Sequence, residues 1–210
     1  MTGTVRPATA MPPEAILSPL IQSDPCFTDA ECARIIAEGT ALPMKQGVTT
    51  GHEAAPEARK STISLFPPEQ RYAWIMQRIG KVASEANQKA WRFDIARSEA
   101  LQFSAYGAGQ NYDGHIDLGS RGALALRKIS VSVQLNDGAD YDGGDLEVSL
   151  GTTDKRATRK KGSVILFPSY MRHRVLPVTR GIRWSPGSAA TRRSAEAGSS
   201  KRAEFATARS

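Results

Sequence analysis

The spacing of apolar residues changes once along this chain, from a helical period to strict alternation. Thr28-Asp29-Ala30-Glu31 has the spacing of a capping box, in which a hydroxyl and a carboxylate satisfy helix-end amides reciprocally. The helix it opens carries Cys32, Ile35 and Ile36 on one side and is expected to stop near Gly39. Residues 40–61, with Gly47, Thr49, Thr50, Gly51 and Pro56, read as a long loop. Pro67-Pro68-Glu69 begins a second helix, in which Tyr72, Ile75, Ile79, Val82 and Ala86 recur at helical spacing as far as about Trp91.

Beyond Trp91 the period is two. Leu101, Phe103 and Ala105 alternate with Gln102, Ser104 and Tyr106; Ile129, Val131, Val133 and Leu135 alternate with Ser130, Ser132 and Gln134. Both segments predict strands with one apolar and one polar face. The polar face is either a solvated outer surface or the lining of a ligand-filled interior. Asn136–Gly144 is dense in Asp and Gly, so Asp142-Gly143-Gly144-Asp145 reads as a turn. Further strands are expected at 145–150, 163–167, 173–176 and 181–185. Two helices followed by short strands suggest helices packed on one side of a β-sandwich or barrel.

Composition adds limits. A chain of 210 residues with 40% hydrophobic and 23% charged content is an ordinary single globular domain. We expect a lead-in over 1–22, one domain over 23–185 and a disordered basic tail over 186–210. Prolines at 7, 12, 13 and 19 interrupt the lead-in, which does not read as a signal peptide, and no apolar run is long enough to span a bilayer. Two cysteines, Cys26 and Cys32, form no disulfide framework, so a reduced, cytoplasmic setting is expected. Of the net charge of +7, the tail holds five basic residues against Glu196 and Glu204, or +3, leaving +4 elsewhere. That mild, scattered excess reads as solvated surface and argues against a nucleic-acid partner.

Candidate chemistry comes from the histidines, of which there are three. His115 and Asp117 are two apart, so on an extended segment they share a face; His173 would open a later strand. Two imidazoles and one carboxylate can cap one face of a ferrous ion and leave positions open for substrates. The same set also builds catalytic zinc sites, although no His-Glu-x-x-His helix is present. His52, beside Glu53 in the polar loop, reads as an ordinary surface residue.

The flanking residues narrow this choice. Tyr106, Gly109, Tyr112, His115 and Asp117 form Y-x-x-G-x-x-Y-x-x-H-x-D. Arg127-Lys-Ile-Ser-Val-Ser-Val-Gln-Leu-Asn136 follows, then Tyr141-Asp-Gly-Gly-Asp-Leu146, Lys161-Gly-Ser-Val-Ile-Leu-Phe-Pro-Ser169 and His173 with Arg183 ten residues on. In this order and spacing, residues 99–185 resemble the 2-oxoglutarate- and Fe(II)-dependent dioxygenases, in their prolyl-4-hydroxylase-like branch. The resemblance implies an α+β fold, with a double-stranded β-helix (jelly-roll) core and N-terminal helices packed on one sheet. It implies His115, Asp117 and His173 as iron ligands and catalytic centre. It implies Arg183 as the cation for the distal carboxylate of 2-oxoglutarate, with Tyr106, Ser185 and Gln134 as further co-substrate contacts. The cofactors implied are Fe(II), 2-oxoglutarate and O2, with ascorbate as an auxiliary reductant.

The implied reaction is hydroxylation of an unactivated C–H bond, by family association on a prolyl residue of a peptide or on a free amino acid. Residues 43–61 and 118–127 are candidate lids, and Arg172 and Arg174 are expected to point away from the site. Oxygenases that repair alkylated bases carry a second arginine six residues after the first, where this chain has Ala189. The last strand is expected to be truncated relative to the family, because Pro186 and Gly187 should stop it. That leaves a non-catalytic metal-binding barrel, or pseudoenzyme, as the alternative. The sequence carries no statement about oligomeric state.

Overall fold

A computed structural model of the chain describes residues 19–48 and 58–192. The capping box forms as expected: Glu31 N–H donates to Thr28 Oγ1 at 3.3 Å and Thr28 N–H to Glu31 Oε2 at 2.9 Å. Helix α1 spans Asp29–Ala41. It passes Gly39 rather than ending there, because that glycine lies flat against the Phe103 ring and is buried. A single 3-10 turn, Gln70–Tyr72, leads into helix α2, Ala73–Ala90. The expected start at the prolines is therefore replaced by a tighter turn.

Fifteen strands surround these helices among the described residues. They are β1 (Ile21–Gln22), β2 (Lys45–Gln46), β3 (Arg59–Lys60), β4 (Thr62–Leu65) and β5 (Arg97–Ser98). Then come β6 (Gln102–Tyr106), β7 (Asn111–His115), β8 (Arg127–Val133), β9 (Tyr141–Gly143) and β10 (Leu146–Ser149). The last are β11 (Asp154–Arg156), β12 (Val164–Pro168), β13 (His173–Val175), β14 (Val178–Gly181) and β15 (Arg183–Thr191). An eight-stranded sheet runs β1-β12-β8-β15-β6-β4-β2, with β5 on β15; a five-stranded sheet runs β11-β10-β13-β7-β3, and β14 pairs with β9. The stretch 40–61 is thus not one loop, since β2 and β3 lie within it; residues 49–57, including His52, fall outside the described residues.

The alternation separates two environments. Phe103, Ile129, Val131 and Val133 join Ile35 of α1 and Ile75 and Ile79 of α2 in one apolar cluster. A second cluster contains residues of both sheets: Tyr106, Ile165 and Phe167 from the larger, Leu146, Val148 and Val175 from the smaller. The polar positions Gln102, Ser104, Ser130 and Ser132 face a cavity of about 430 Å3. Of the two readings of the polar face, the structure has the interior one.

The expected end of the last strand is corrected. β15 continues through Pro186 and Gly187 to Thr191, and Ala189, Ala190 and Thr191 are buried. Proline is tolerated here for a local reason. Residues 183–187 of β15 pair with β6, and pairing with β8 starts only at Gly187↔Ser132. Trp184, two residues earlier, donates its N–H to the Asn136 side chain at 3.0 Å. Pro186 turns its nitrogen the same way, towards a stretch where no ladder partner awaits a proton. Small Ala and Ser residues then fill the tight space between two neighbouring strands. The strand that carries Arg183 is thus not truncated, and truncation no longer favours a non-catalytic barrel. Residues 193–210 lie outside the described residues, and with them most of the expected tail.

A side chain at Gly39 would put its Cβ 2.6 Å from the Phe103 ring. Gly39→Val is therefore expected to lower unfolding free energy by about 1–3 kcal/mol, as overpacked cores do. Urea denaturation followed by Trp fluorescence reads this as a lower midpoint at unchanged slope.

Candidate metal centre and cavity

His115, Asp117 and His173 are brought together, each offering one ligand atom, with these atoms within 4.8 Å of one another. The register of the five-stranded sheet does this. β13 lies antiparallel to β7, with His173 opposite His115 and Val175 opposite Tyr112. Two steps on β13 match three on β7, so β7 bulges between Tyr112 and His115. The bulge brings Tyr112 and His115 to one face despite their odd spacing, and their rings stack at 3.6 Å with 16° between planes. Gly114 sits in this bulge under the Arg172 guanidinium, where a Cβ would lie 2.3 Å from Arg172 Cζ. Asp117, just past the strand, is held through its main chain, as Asp117 and Leu118 N–H both donate to Ser169 O at 3.0 and 2.9 Å.

Both imidazoles are oriented by their second nitrogen. His115 Nδ1 lies 2.8 Å from Asp113 O, and His173 Nδ1 lies 3.0 Å from Met171 O. A carbonyl can only accept, so in the neutral rings Nδ1 carries the proton and Nε2 presents a lone pair. The two Nε2 atoms face Asp117 from either side, at 3.7 Å to Oδ1 and 3.6 Å to Oδ2. Ser130 Oγ donates to Asp117 Oδ2 at 2.5 Å, fixing the carboxylate plane. Two lone pairs and one anionic oxygen converging, with their other atoms already engaged, fit a divalent metal with open positions.

Protonation agrees with this. Burial, helped by the charge of His173, lowers the His115 pKa from 6.5 to about 4. Burial would raise Asp117, but His173, the Ser130 hydroxyl, His115 and Arg127 outweigh it and hold the carboxyl below its usual value. Near neutral pH the site therefore holds a neutral His115 and an ionised Asp117.

Arg183, Tyr106 and Ser185 all line the same cavity. Arg183 is 2% exposed, stands opposite Tyr106 across the β15–β6 ladder, and holds its guanidinium carbon 5.7 Å from the Tyr106 ring centre. Among the described residues no carboxylate pairs with it. Ser185 hydrogen bonds to Ser132 Oγ at 2.8 Å rather than to Arg183. Gln134 does not reach the cavity wall, because its amide donates to Asn136 O at 3.0 Å and Tyr141 Oη at 2.8 Å. Arg174 pairs with Glu147 at 2.7 Å and Asp154 at 3.1 Å, away from the cavity as expected.

Sequence reasoning missed several cavity residues. Arg127 is clamped by Glu99 through two contacts, 2.9 and 2.6 Å, and donates to Asp117 O at 3.2 Å. Glu99 is fixed in turn by the end of β15, since its N–H donates to Ala189 O at 2.8 Å and its carbonyl accepts from Ser188 Oγ at 2.9 Å. Arg59 enters from β3 and covers Tyr112. From the two candidate lids, Val48, Gly119 and Leu124 also line the cavity.

Two outcomes test the centre. Ser130→Ala removes the donor to Asp117 and should weaken Fe(II) binding about tenfold or more, read by anaerobic titration. In the metal-free protein, His115 should titrate near pH 4 by ring-proton NMR. Between pH 6.5 and about 4 the folded chain binds fewer protons than the unfolded one at this ring. That contribution to stability is therefore lost as pH falls through the window.

Residues 101–187 match the family described as the 2OG-Fe(II) oxygenase superfamily. A PKHD-type hydroxylase of Synechococcus sp. (strain JA-2-3B'a(2-13)) is 36% identical over 89 residues, which cover 41% of this chain and 40% of that protein. The PKHD-type hydroxylase PiuC of Pseudomonas aeruginosa is 28% identical over 172 residues, covering 76% of this chain and 72% of its own length. Against the first of these relatives the chain spans about two fifths of the length. A prolyl hydroxylase from Trichoplax adhaerens, solved with a hypoxia inducible factor peptide fragment, superposes with a TM-score of 0.69 at 15% identity. That superposition covers 82% of this chain and 83% of the Trichoplax chain. With its His-Asp-His cluster in the cavity between two sheets, the chain is similar over residues 101–187 to the 2OG-Fe(II) oxygenase superfamily and shares the fold of the Trichoplax prolyl hydroxylase.

Proposed function

We propose that the protein is a 2-oxoglutarate- and Fe(II)-dependent dioxygenase that hydroxylates an unactivated C–H bond of a prolyl, peptide or free amino-acid substrate. We take the two main sheets as a double-stranded β-helix with the helices on its larger sheet. The observation that carries the reading is Arg183. It is a buried guanidinium opening on the same cavity as the triad, with no carboxylate partner among the described residues. An unpaired buried charge is strongly unfavourable, so its position is best explained by an anionic ligand. A guanidinium fork receives a carboxylate through two parallel hydrogen bonds and stays charged at any working pH.

In this reading His115, Asp117 and His173 would hold Fe(II), and Arg183 would receive the distal carboxylate of 2-oxoglutarate. The metal, when bound, supplies the oxygen activation that no side chain can. The chain's own residues do the rest. The Nδ1 hydrogen bonds hold both imidazoles in the ligating tautomer, and Ser130 keeps Asp117 from rotating. Tyr106 backs Arg183 with its ring face, so the guanidinium is directed before the ligand arrives. Phe167, with its ring 4.6 Å from His173, keeps water from that side of the centre. The substrate class is carried over from the prolyl hydroxylase and hydroxylase relatives as a proposal. The peptide bound to the Trichoplax enzyme is in keeping with the cavity opening to the surface.

Anaerobic addition of Fe(II) and 2-oxoglutarate should give a visible charge-transfer band in the wild type. Asp117→Ala should abolish it, while Arg183→Gln should raise the 2-oxoglutarate concentration needed by about 10- to 100-fold. A wild type that folds normally but shows no band sinks the proposal.

A further inference from the structure

A second buried guanidinium in the cavity is left unused by this chemistry. Arg59 is 7% exposed and stands directly opposite Tyr112 across the β3–β7 ladder. Its guanidinium carbon lies 4.6 Å from the Tyr112 ring centre. His115 already covers one face of that ring at 3.6 Å, so Arg59 takes the other. Its Nε donates to Ser61 Oγ at 2.9 Å, and among the described residues its two terminal amino groups have neither a hydrogen bond nor a carboxylate. The arrangement is cradled by Gly47, where a Cβ would fall 2.7 Å from Arg59 Nε and 2.4 Å from Ser61 Oγ. Gly47 N–H meanwhile donates to Ser61 O at 2.8 Å. Backbone, serine and tyrosine thus fix one edge of the fork and leave the other open to the cavity.

The charge balance says what the open edge is for. Besides the histidines, five ionised side chains among the described residues line the cavity: Arg59, Arg127 and Arg183 against Glu99 and Asp117. Glu99 and Arg127 neutralise each other at 2.6 Å. A divalent metal and a dicarboxylate co-substrate also cancel. Of Arg59, Arg183 and Asp117, one positive charge then remains, and it is buried. Stacking on Tyr112 offsets only part of the cost of burying a cation.

We propose that Arg59 receives a carboxylate of the prime substrate, which therefore presents one carboxylate group on the Tyr112 side of the metal centre. This rests on the dioxygenase reading above and adds to it the group by which the substrate is held. The carboxylate is that of a free amino acid or of a peptide C-terminus. In either case the fork, held before binding, loses little entropy when it pairs. An internal prolyl residue with no acidic group would leave Arg59 unsatisfied.

The test compares acids with their amides. Wild type, Arg59→Gln and Arg59→Lys are loaded anaerobically with Fe(II) and 2-oxoglutarate, and the charge-transfer band is recorded first. Calorimetry then measures binding of the common L-amino acids, their primary amides, and Ala-Pro dipeptides with free or amidated ends. Succinate release on admitting oxygen is followed in parallel. Wild type should favour at least one acid over its amide by about 10- to 100-fold. Arg59→Gln should erase that preference by raising KM for the acid rather than by lowering kcat, and Arg59→Lys should restore part of it. Free amino acids alone showing the preference identifies an α-carboxylate, and dipeptides showing it identifies a C-terminus. Acids and amides treated alike by the wild type, or a preference that survives Arg59→Gln, overturns the proposal and leaves Arg59 as a support for Tyr112. Absence of the band in wild type instead defeats the dioxygenase reading itself.

Discussion

The centre depends on one register: His173 paired with His115 across the β13–β7 ladder. Strand side chains alternate with period two, so a slip of a single residue would turn one imidazole out of the cavity. Nothing in the two histidines enforces that register. It is held by apolar neighbours, with Val175 and Val148 buried on the same sheet, and by main-chain bonds from Asp117 and Leu118 to Ser169. The bulge in β7 then adds a third ring to the same face. The site is a property of sheet pairing first and of ligand chemistry second.

Strands of the larger sheet serve two media at once. On β8, Ile129, Val131 and Val133 contribute to the apolar cluster with the helices, while Ser130 and Ser132 look into the cavity. The apolar side supplies the stabilisation that allows the other side to be polar and partly empty. Hydroxyls suit the cavity face because each finds a partner nearby. Ser130 reaches Asp117, and Ser132 reaches Ser185. Among the described residues these serines are therefore satisfied without a ligand, whereas the guanidinium groups of Arg59 and Arg183 have no carboxylate.

Much of this was legible in the sequence where the signal is periodic or chemical. The capping box, the α2 spacing and the alternation on β6 and β8 all come from local physics and reappear in place. The triad stood out because few residue types can hold such a metal, whereas Arg183 was singled out only by the spacing that the family resemblance supplies. Arg59 was hidden for the opposite reason: β3 is two residues long, carries no alternation and lies in a polar stretch. Ser130 reads as one more polar strand residue until the fold sets it beside Asp117. The bulge could not be inferred either, since Tyr112 and His115 at odd spacing should face apart. Pro186 misled because its usual meaning holds only for a strand paired on both sides, and β15 at that point is not.

The position of β15 has a consequence for how the molecule can form. Being between β8 and β6, it alone joins two blocks of the larger sheet, β1-β12-β8 and β6-β4-β2. Yet it comes after all of them along the chain. Until β15 pairs, each block presents an unpaired edge, and no main-chain ladder among the described residues joins the two. Closure then brings together contacts distant in sequence, the circumstance that slows folding most. Arg183 enters the cavity in that same step, so the anion site comes into being only as the sheet is completed.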